Sequence, residues 1–345
     1  MPFTKSLNLI HPYIGEDGKK YVNIPKKASP SSFASFTPEQ IIVSDKEDVG
    51  SIFSTLEKFG VCIVRNFLSS GTCDTILEEL NPHFFREESW KGSPFPEQTT
   101  VVTRSVLHSP TSLKNIVAND LFVKVASYFL SESNYFWIGK NIRTGNSTIQ
   151  LNSGITYKVG HHAGDQLYHR EDMVHHNTHS KKETFTHGDE SMVGISVALT
   201  DTTKHNGATR ALLASHLWGH YDGYNESNSN CERYLEMKKG DCVFILGSTY
   251  HAASANRTTE DRITSFYFMT KSYLKQEENL HLGTPLEFFK GLDQKTLTLL
   301  GLHTSEPFCG HIDYKSPMEI INPGNKEEYS TKENYSESII VQLSE

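Results

Sequence analysis

From about residue 135 onward the chain breaks into short runs of alternating apolar residues separated by Gly, Asn and Asp: TIQLNSGITYKVG, SMVGISVALTD, DCVFILGS and ITSFYFMTK. Many short strands punctuated by turn residues favour an antiparallel sandwich or barrel over a parallel α/β sheet, which needs a long crossover between successive strands. In SMVGISVALT the apolar residues Val193, Ile195, Val197 and Leu199 recur with a period of two, the pattern of a half-buried strand. Upstream the texture is helical. The run VGSIFSTLEKFG from Val49 has apolar residues near helical spacing and ends at Gly60, a C-cap. VCIVRNF at 61–67 reads as a strand, TILEELNPHF as a second helix, and 113–130 as one further helix. The expected fold is mainly β with flanking helices, a double-stranded β-helix (jelly-roll, cupin-like) core behind a helical layer.

A chain of 345 residues with 37% apolar content can bury one sizeable core, and β barrels of this length often form a single domain. The expected organisation is an irregular arm over 1–45 and one domain over 46–321, followed by a polar tail over 322–345. Within the domain, 46–134 is the helical layer, 135–275 the jelly-roll core and 276–321 a C-terminal helical and loop segment. No internal repeat is evident. A net charge of -8 with no Lys/Arg-rich run gives nothing for a phosphate backbone to bind, so nucleic acid is not an expected partner. The five cysteines form no CxxC pair and are odd in number, which argues against a disulfide framework or a cysteine-built zinc site. The N-terminus has no long apolar run, and no stretch approaches the roughly eighteen apolar residues of a membrane span. These features lead to an expected cytoplasmic location.

The chemistry gathers in two stretches. In GDQLYHREDMVHHN at 164–177, His169 and Glu171 are two apart, so on extended backbone both point to one face while Arg170 points away. In KGDCVFILGSTYH at 239–251, a turn and an apolar strand deliver His251, and the next strand opens with Arg262. Two histidines and one carboxylate make a facial metal triad that leaves the other half of an octahedral iron open. An arginine beyond it supplies a fork for a carboxylate. Seven histidines between His161 and His187 make a His-x-acid triplet partly a matter of local composition, so the order and spacing of both stretches carry more weight than the triplet.

With these motifs, together with ALTDTTKHNGATR at 198–210 and ASHLW at 214–218, the chain resembles the phytanoyl-CoA dioxygenase family of iron(II)- and 2-oxoglutarate-dependent oxygenases, especially its fungal branch acting on natural products such as meroterpenoids and alkaloids. The likeness runs from about residue 50 to 320. It implies His169, Glu171 and His251 as ligands of Fe(II) and Arg262 as the partner of the 2-oxoglutarate C5 carboxylate. It also implies Gln166 near the C1 end of that co-substrate and Thr209 hydrogen-bonded to it. Substrate-pocket candidates are His175, His176, Tyr157 and Met173; for the two histidines, ordinary polar loop residues are an equal reading, and Tyr157 and Met173 also suit an ordinary core.

The family usually has HisArgAspAsp where this chain has HisArgGluAsp, and an Ile-Pro-Gly-Ser-His-like turn where it has ALLASH at 211–216. Glutamate keeps the charge and the oxygen donors. The resemblance implies oxidation of a hydrophobic secondary-metabolite intermediate by O2, through hydroxylation, desaturation, rearrangement or endoperoxidation, with a homodimer or a heterodimer with a paralogue as the assembly. Glu171 and the extended N-terminal arm keep open a catalytically weak or silent structural partner of an active paralogue, and a metal site that can act as a Lewis acid or radical initiator keeps open a metal-dependent isomerase. Arg262 argues against the isomerase, because a carboxylate clamp has little use without the co-substrate. Zinc is weaker still, with no cysteine ligands and no HExxH sequence.

Overall fold

The computed structural model describes residues 13–21, 37–85, 96–139, 141–220, 222–224 and 226–325. Strands β1 (Tyr13–Ile14) and β2 (Lys20–Tyr21) form a hairpin of their own, and β3 (Ile42–Val43) and β4 (Val61–Val64) flank helix α1 (Val49–Phe59). Helix α2 (Ser70–Leu80) precedes β5 (Thr99–Val102), and α3 (Ser105–His108), α4 (Pro110–Ser112) and α5 (Asp120–Leu130) follow it. A second hairpin, β6 (Glu132–Ile138) and β7 (Asn141–Ser147), lies outside the main sheet. The β region continues with β8 (Ile149–Val159), β9 (Met192–Ala198), β10 (Thr209–Leu212), β11 (Glu232–Tyr234), β12 (Cys242–Leu246), β13 (His251–Ala253) and β14 (Arg262–Lys271).

The main sheet has seven strands in the order β3-β4-β12-β9-β14-β8-β5, and a smaller sheet has the order β11-β10-β13. Apart from the parallel pair β3 and β4, every pairing in these sheets is antiparallel. This is the expected mainly β jelly roll with flanking helices. The pairing of Ile42 and Val43 with Ile63 and Val64 starts the main sheet before residue 46. The segment from 326 onward, most of the expected polar tail, lies outside the described residues.

Period two sorts the main sheet into two faces. Cys62, Val64, Val193, Ile195, Val197, Phe244, Leu246, Tyr267 and Met269 pack under the helical layer with Ile52, Leu56, Phe122 and Phe129. Their alternates Val61, Ile63, Met192, Ala198, Val243, Ile245 and Phe268 face the small sheet, meeting Ala211 and Leu213. The half-buried strand expected around Val193 is therefore corrected: Met192–Ala198 is buried throughout, because helices cover one face and the small sheet the other. Gly194 marks how closely that inner face packs. A Cβ there would lie 2.4 Å from Phe268 Cε1 and 2.9 Å from Ile245 Cγ2.

Helix α1 ends as expected, on Gly60 in the left-handed conformation with φ 76, its N–H bonded to the Leu56 carbonyl. The single helix expected over 113–130 is divided. Leu113–Val117 is a π turn, and α5 starts afresh where the Asn119 side chain accepts the Leu121 N–H. An Asn that can satisfy an orphan amide favours a new helix start over continuation.

Candidate metal centre

His169 and His251 stand directly opposite each other in an isolated antiparallel bridge, exchanging N–H···O bonds of 3.1 and 3.0 Å. The extended Arg170 (φ -109, ψ 136) then carries the chain into a 3-10 turn, Glu171–His175, rather than along a strand. That one extended residue is enough to bring His169 and Glu171 to the same side. The Arg170 guanidinium points away, donating to the Ser215 and Trp218 carbonyls and stacking over the Tyr250 ring at 4.3 Å. The Glu171 and Asp172 N–H groups both bond the Gly247 carbonyl, so the turn is docked on the loop that leads into β13.

One ligand atom from each of His169, Glu171 and His251 lies within 4.8 Å of the other two. Glu171 Oε2 is 3.6 Å from His169 Nε2 and 3.4 Å from His251 Nε2. Each imidazole is oriented through its other nitrogen, His169 Nδ1 to the Leu167 carbonyl at 2.9 Å and His251 Nδ1 to the Thr249 carbonyl at 3.1 Å. A carbonyl can only accept, so both Nδ1 atoms carry a proton and both Nε2 atoms are turned to the carboxylate, donating to it when the ring is charged and offering a lone pair to an ion when the ring is neutral. Burial alone would raise the Glu171 carboxyl, but hydrogen bonds and charge from the two histidines hold it down at about 2. For His169, burial opposes the charged form and Glu171 outweighs it, raising the imidazole. The longer glutamate thus reaches both imidazoles. Asp172 is held elsewhere, buried against His179 Nε2 at 3.1 Å and Asn177 at 3.2 Å.

Cross-strand partners share a face, so His251 opposite Ala211 and Ala253 opposite Thr209 place His251 and Thr209 on the inner face of the small sheet. Arg262, Thr264, Phe266 and Phe268 alternate onto the inner face of the main sheet, with Tyr157 opposite Thr264. Arg262 is 2% exposed, donates to Thr264 Oγ1 at 2.7 Å, and leaves its buried Nε without a partner. Among the described residues no carboxylate pairs with it, and burial lowers the guanidinium to about 10. Thr209 is buried, with its side chain on the same inner face as His251. Gln166 uses its amide oxygen to accept the Ala253 N–H at 3.1 Å.

The remaining sequence candidates separate. Tyr157 lines the interior, its phenol pushed well up by burial, with the Glu171, Glu277 and Glu278 carboxylates adding to it. Met173, within the ligand turn, is 60% exposed, and Leu167, 87% exposed, stands on the other side of His169. His175 ties the turn to its surroundings, Nδ1 to Ser191 Oγ at 3.1 Å and Nε2 to the Lys275 carbonyl at 3.3 Å. His176 is exposed and ends the turn in the left-handed conformation, φ 55.

Two groups near the site have no motif in the sequence. Glu190, 3% exposed, holds Ser248 Oγ at 2.5 Å and so braces the loop before His251; burial pushes its carboxyl up to about 7. Glu277, exposed on the loop after β14, is bonded to Asn152 and Ser153 of β8. Neither residue has a spacing relation to the ligands, and a single acid in a polar stretch carries no signal of its own.

The profile of the family described as Phytanoyl-CoA dioxygenase (PhyH) matches residues 56–264, which include all the candidate ligands and Arg262. The uncharacterized protein YJR154W of Saccharomyces cerevisiae is 53% identical over 340 residues, covering 98% of each chain. The dioxygenase cnsJ of Penicillium expansum is 33% identical, covering 79% of this chain and 82% of its own. Among solved structures, the epimerase SnoN in complex with Fe3+, alpha ketoglutarate and nogalamycin RO matches with TM-score 0.51 and 17% identity over 70% of this chain and 93% of that one, a likeness of fold. The chain belongs to the phytanoyl-CoA dioxygenase family, non-haem iron dioxygenases that take 2-oxoglutarate as co-substrate.

Proposed function

We propose that the protein is an active oxygenase of a hydrophobic small molecule of secondary-metabolite type, with His169, Glu171 and His251 holding iron(II) and Arg262 holding the distal carboxylate of 2-oxoglutarate. The observation that carries this reading is Arg262, a fully buried guanidinium with an unpartnered Nε and, among the described residues, no carboxylate paired with it. A buried charge is costly unless paired, and a dicarboxylate co-substrate supplies the missing partner. The donor set of two imidazoles and one carboxylate suits iron and leaves positions for a chelating ligand and O2.

When bound, iron and 2-oxoglutarate supply an oxidant for an unactivated carbon while the co-substrate is converted to succinate and carbon dioxide. The chain does the rest. His169 and His251 present Nε2 lone pairs without rearrangement, because their Nδ1–H groups are already committed to backbone carbonyls. Thr264 fixes the Arg262 fork, and Gln166 and Thr209 line the co-substrate side. Phe266 and Phe268, stacked at 5.9 Å, exclude water from the inner wall. Leu167 and Met173 offer apolar surface at the rim, which supports a hydrophobic substrate.

The silent-partner reading rests on Glu171, and the position of its carboxylate between two correctly oriented imidazoles favours competence. Anaerobic addition of iron(II) and 2-oxoglutarate to the purified protein tests it. A visible charge-transfer band, followed by succinate release on admitting oxygen, is the expected result. Absence of both would sink the proposal.

A further inference from the structure

Glu277, an exposed acid on the loop after β14, is fastened to the inner side of β8. Its Oε2 accepts from Asn152 Nδ2 at 3.0 Å and Ser153 Oγ at 3.2 Å, and its own N–H bonds Asn152 Oδ1 at 3.0 Å. Asn152 and Ser153 are buried on β8, at the point where pairing with β14 shifts register between Phe268 and Met269. Above the shift Leu151 joins the helical-side core opposite Met269, and below it Ser153 lies opposite Phe268 on the inner face. Bulges of this kind re-aim side chains beside active sites. Here the irregularity puts Ser153, which donates to the exposed Glu277 carboxylate, on the inner face, and the charge of Glu171 reaches that carboxylate.

The loop bearing Glu277 is also tied directly to the ligand turn, since His175 Nε2 bonds the Lys275 carbonyl. Tyr157 senses the charges of both Glu171 and Glu277. Among the described residues Glu277 has no basic partner. The charges that act on it, Glu171 and Glu278, are of its own sign. Burial and then Glu171 push its carboxyl up to about 7, as expected for an acid lacking its counterion.

We propose that Glu277 is a specificity-determining residue that binds a protonated amine on the hydrophobic substrate, so that the class of molecule oxidised at this centre is a nitrogen base. This rests on the reading of the metal centre above and adds the substrate's charge to it. The rigid Asn152 and Ser153 contacts occupy one carboxylate oxygen and leave Oε1 for an ammonium donor. The apolar wall of Phe266 and Phe268 takes the body of the molecule. A hydrophobic body seated against that wall covers the carboxylate from water, which strengthens a charge-assisted bond, and an anion is penalised beside Glu171 and Glu277.

The test uses three compounds of equal size, 4-phenylbutylamine, 4-phenylbutanol and 4-phenylbutyrate, titrated calorimetrically into the full chain loaded anaerobically with iron(II) and 2-oxoglutarate. The amine is expected to bind about tenfold tighter than the alcohol, a difference of about 1.4 kcal/mol, with the butyrate weakest. In Glu277→Gln the amine's advantage should fall to within about twofold while alcohol affinity stays near wild type, which also reports an intact pocket. Equal affinities for amine and alcohol in the wild-type protein, or an advantage that survives in E277Q, overturn the proposal. Failure of the metal reading is separately visible as loss of the charge-transfer band before any amine is added.

Discussion

His169 and His251 face each other across two reciprocal backbone hydrogen bonds, and each turns its Nε2 toward Glu171 because its Nδ1 is bonded to the carbonyl two residues before it. The two imidazoles are therefore set by backbone geometry, with ring centroids 4.5 Å apart, before any ion arrives. Such preorganisation spares the ordering cost that a loop-borne ligand would carry on binding.

Replacing either histidine leaves the bridge intact, because the bridge is made by the backbone. His251→Ala is expected to fold, with iron affinity and succinate formation reduced beyond the roughly 10- to 100-fold typical of losing an outer-sphere partner. Metal content after dialysis and anaerobic difference spectra check this. Full iron occupancy in H251A would contradict the assignment.

Arg262→Met separates the charge from the shape. Without co-substrate the variant should melt no lower than wild type, since an unpaired buried guanidinium is removed. With saturating 2-oxoglutarate the wild type gains stability and the variant does not. The loss at the clamp is about 2–5 kcal/mol, roughly a 30- to 4000-fold higher KM for 2-oxoglutarate. Thermal melts with and without the co-substrate give both readings.

Glu190 makes stability depend on pH. Its folded-state carboxyl is raised from 4.5 to about 7, so the contribution it makes in its protonated form is complete below 4.5 and fades as pH rises through about 7. Glu190→Gln mimics the protonated form and keeps an acceptor for Ser248. The variant is expected to be more stable than wild type near pH 8, by up to about 3 kcal/mol, with the gap closing below about pH 5. Denaturant titrations across that range check the sign. A gap independent of pH would show that Glu190 stays ionised in the fold.

Gly60 couples the helical layer to the site. Its carbonyl accepts from Thr249 Oγ1 at 3.0 Å and from the Leu246 N–H at 2.9 Å, while a Cβ there would sit 2.3 Å from Thr249 Oγ1. Gly60→Ala is expected to cost at least about 2 kcal/mol, from left-handed strain together with overpacking. Because Thr249 carries the carbonyl that orients His251, iron affinity should fall as well. Chemical denaturation and metal titration of the same variant read both effects.

The β character, the helix ended by Gly60 and the identities of His169, Glu171, His251 and Arg262 were legible along the chain because each is a local pattern: period two, a cap residue, a spacing of two, a strand-opening arginine. Less legible was the break at Asn119, where one capping side chain outweighs an otherwise continuous apolar periodicity. The full burial of Met192–Ala198 was hidden for a different reason. A strand's own sequence does not state what covers its second face, and here Gly194 and Ser196 look like solvent positions while lying buried, Gly194 under Phe268 and Ile245.

The sequence by itself determined which atoms are available as ligands and that a β barrel would present them, since both follow from residue type and short-range periodicity. Only the tertiary structure decided that Glu171 reaches both imidazoles, that Arg262 is buried with no acid paired to it among the described residues, and that Glu277 is fastened to Ser153 at an irregularity on β8. Those relations are distances and electrostatic environments between residues remote in the chain. They exist only once packing has fixed which groups share a low-dielectric interior and which are left there without a partner.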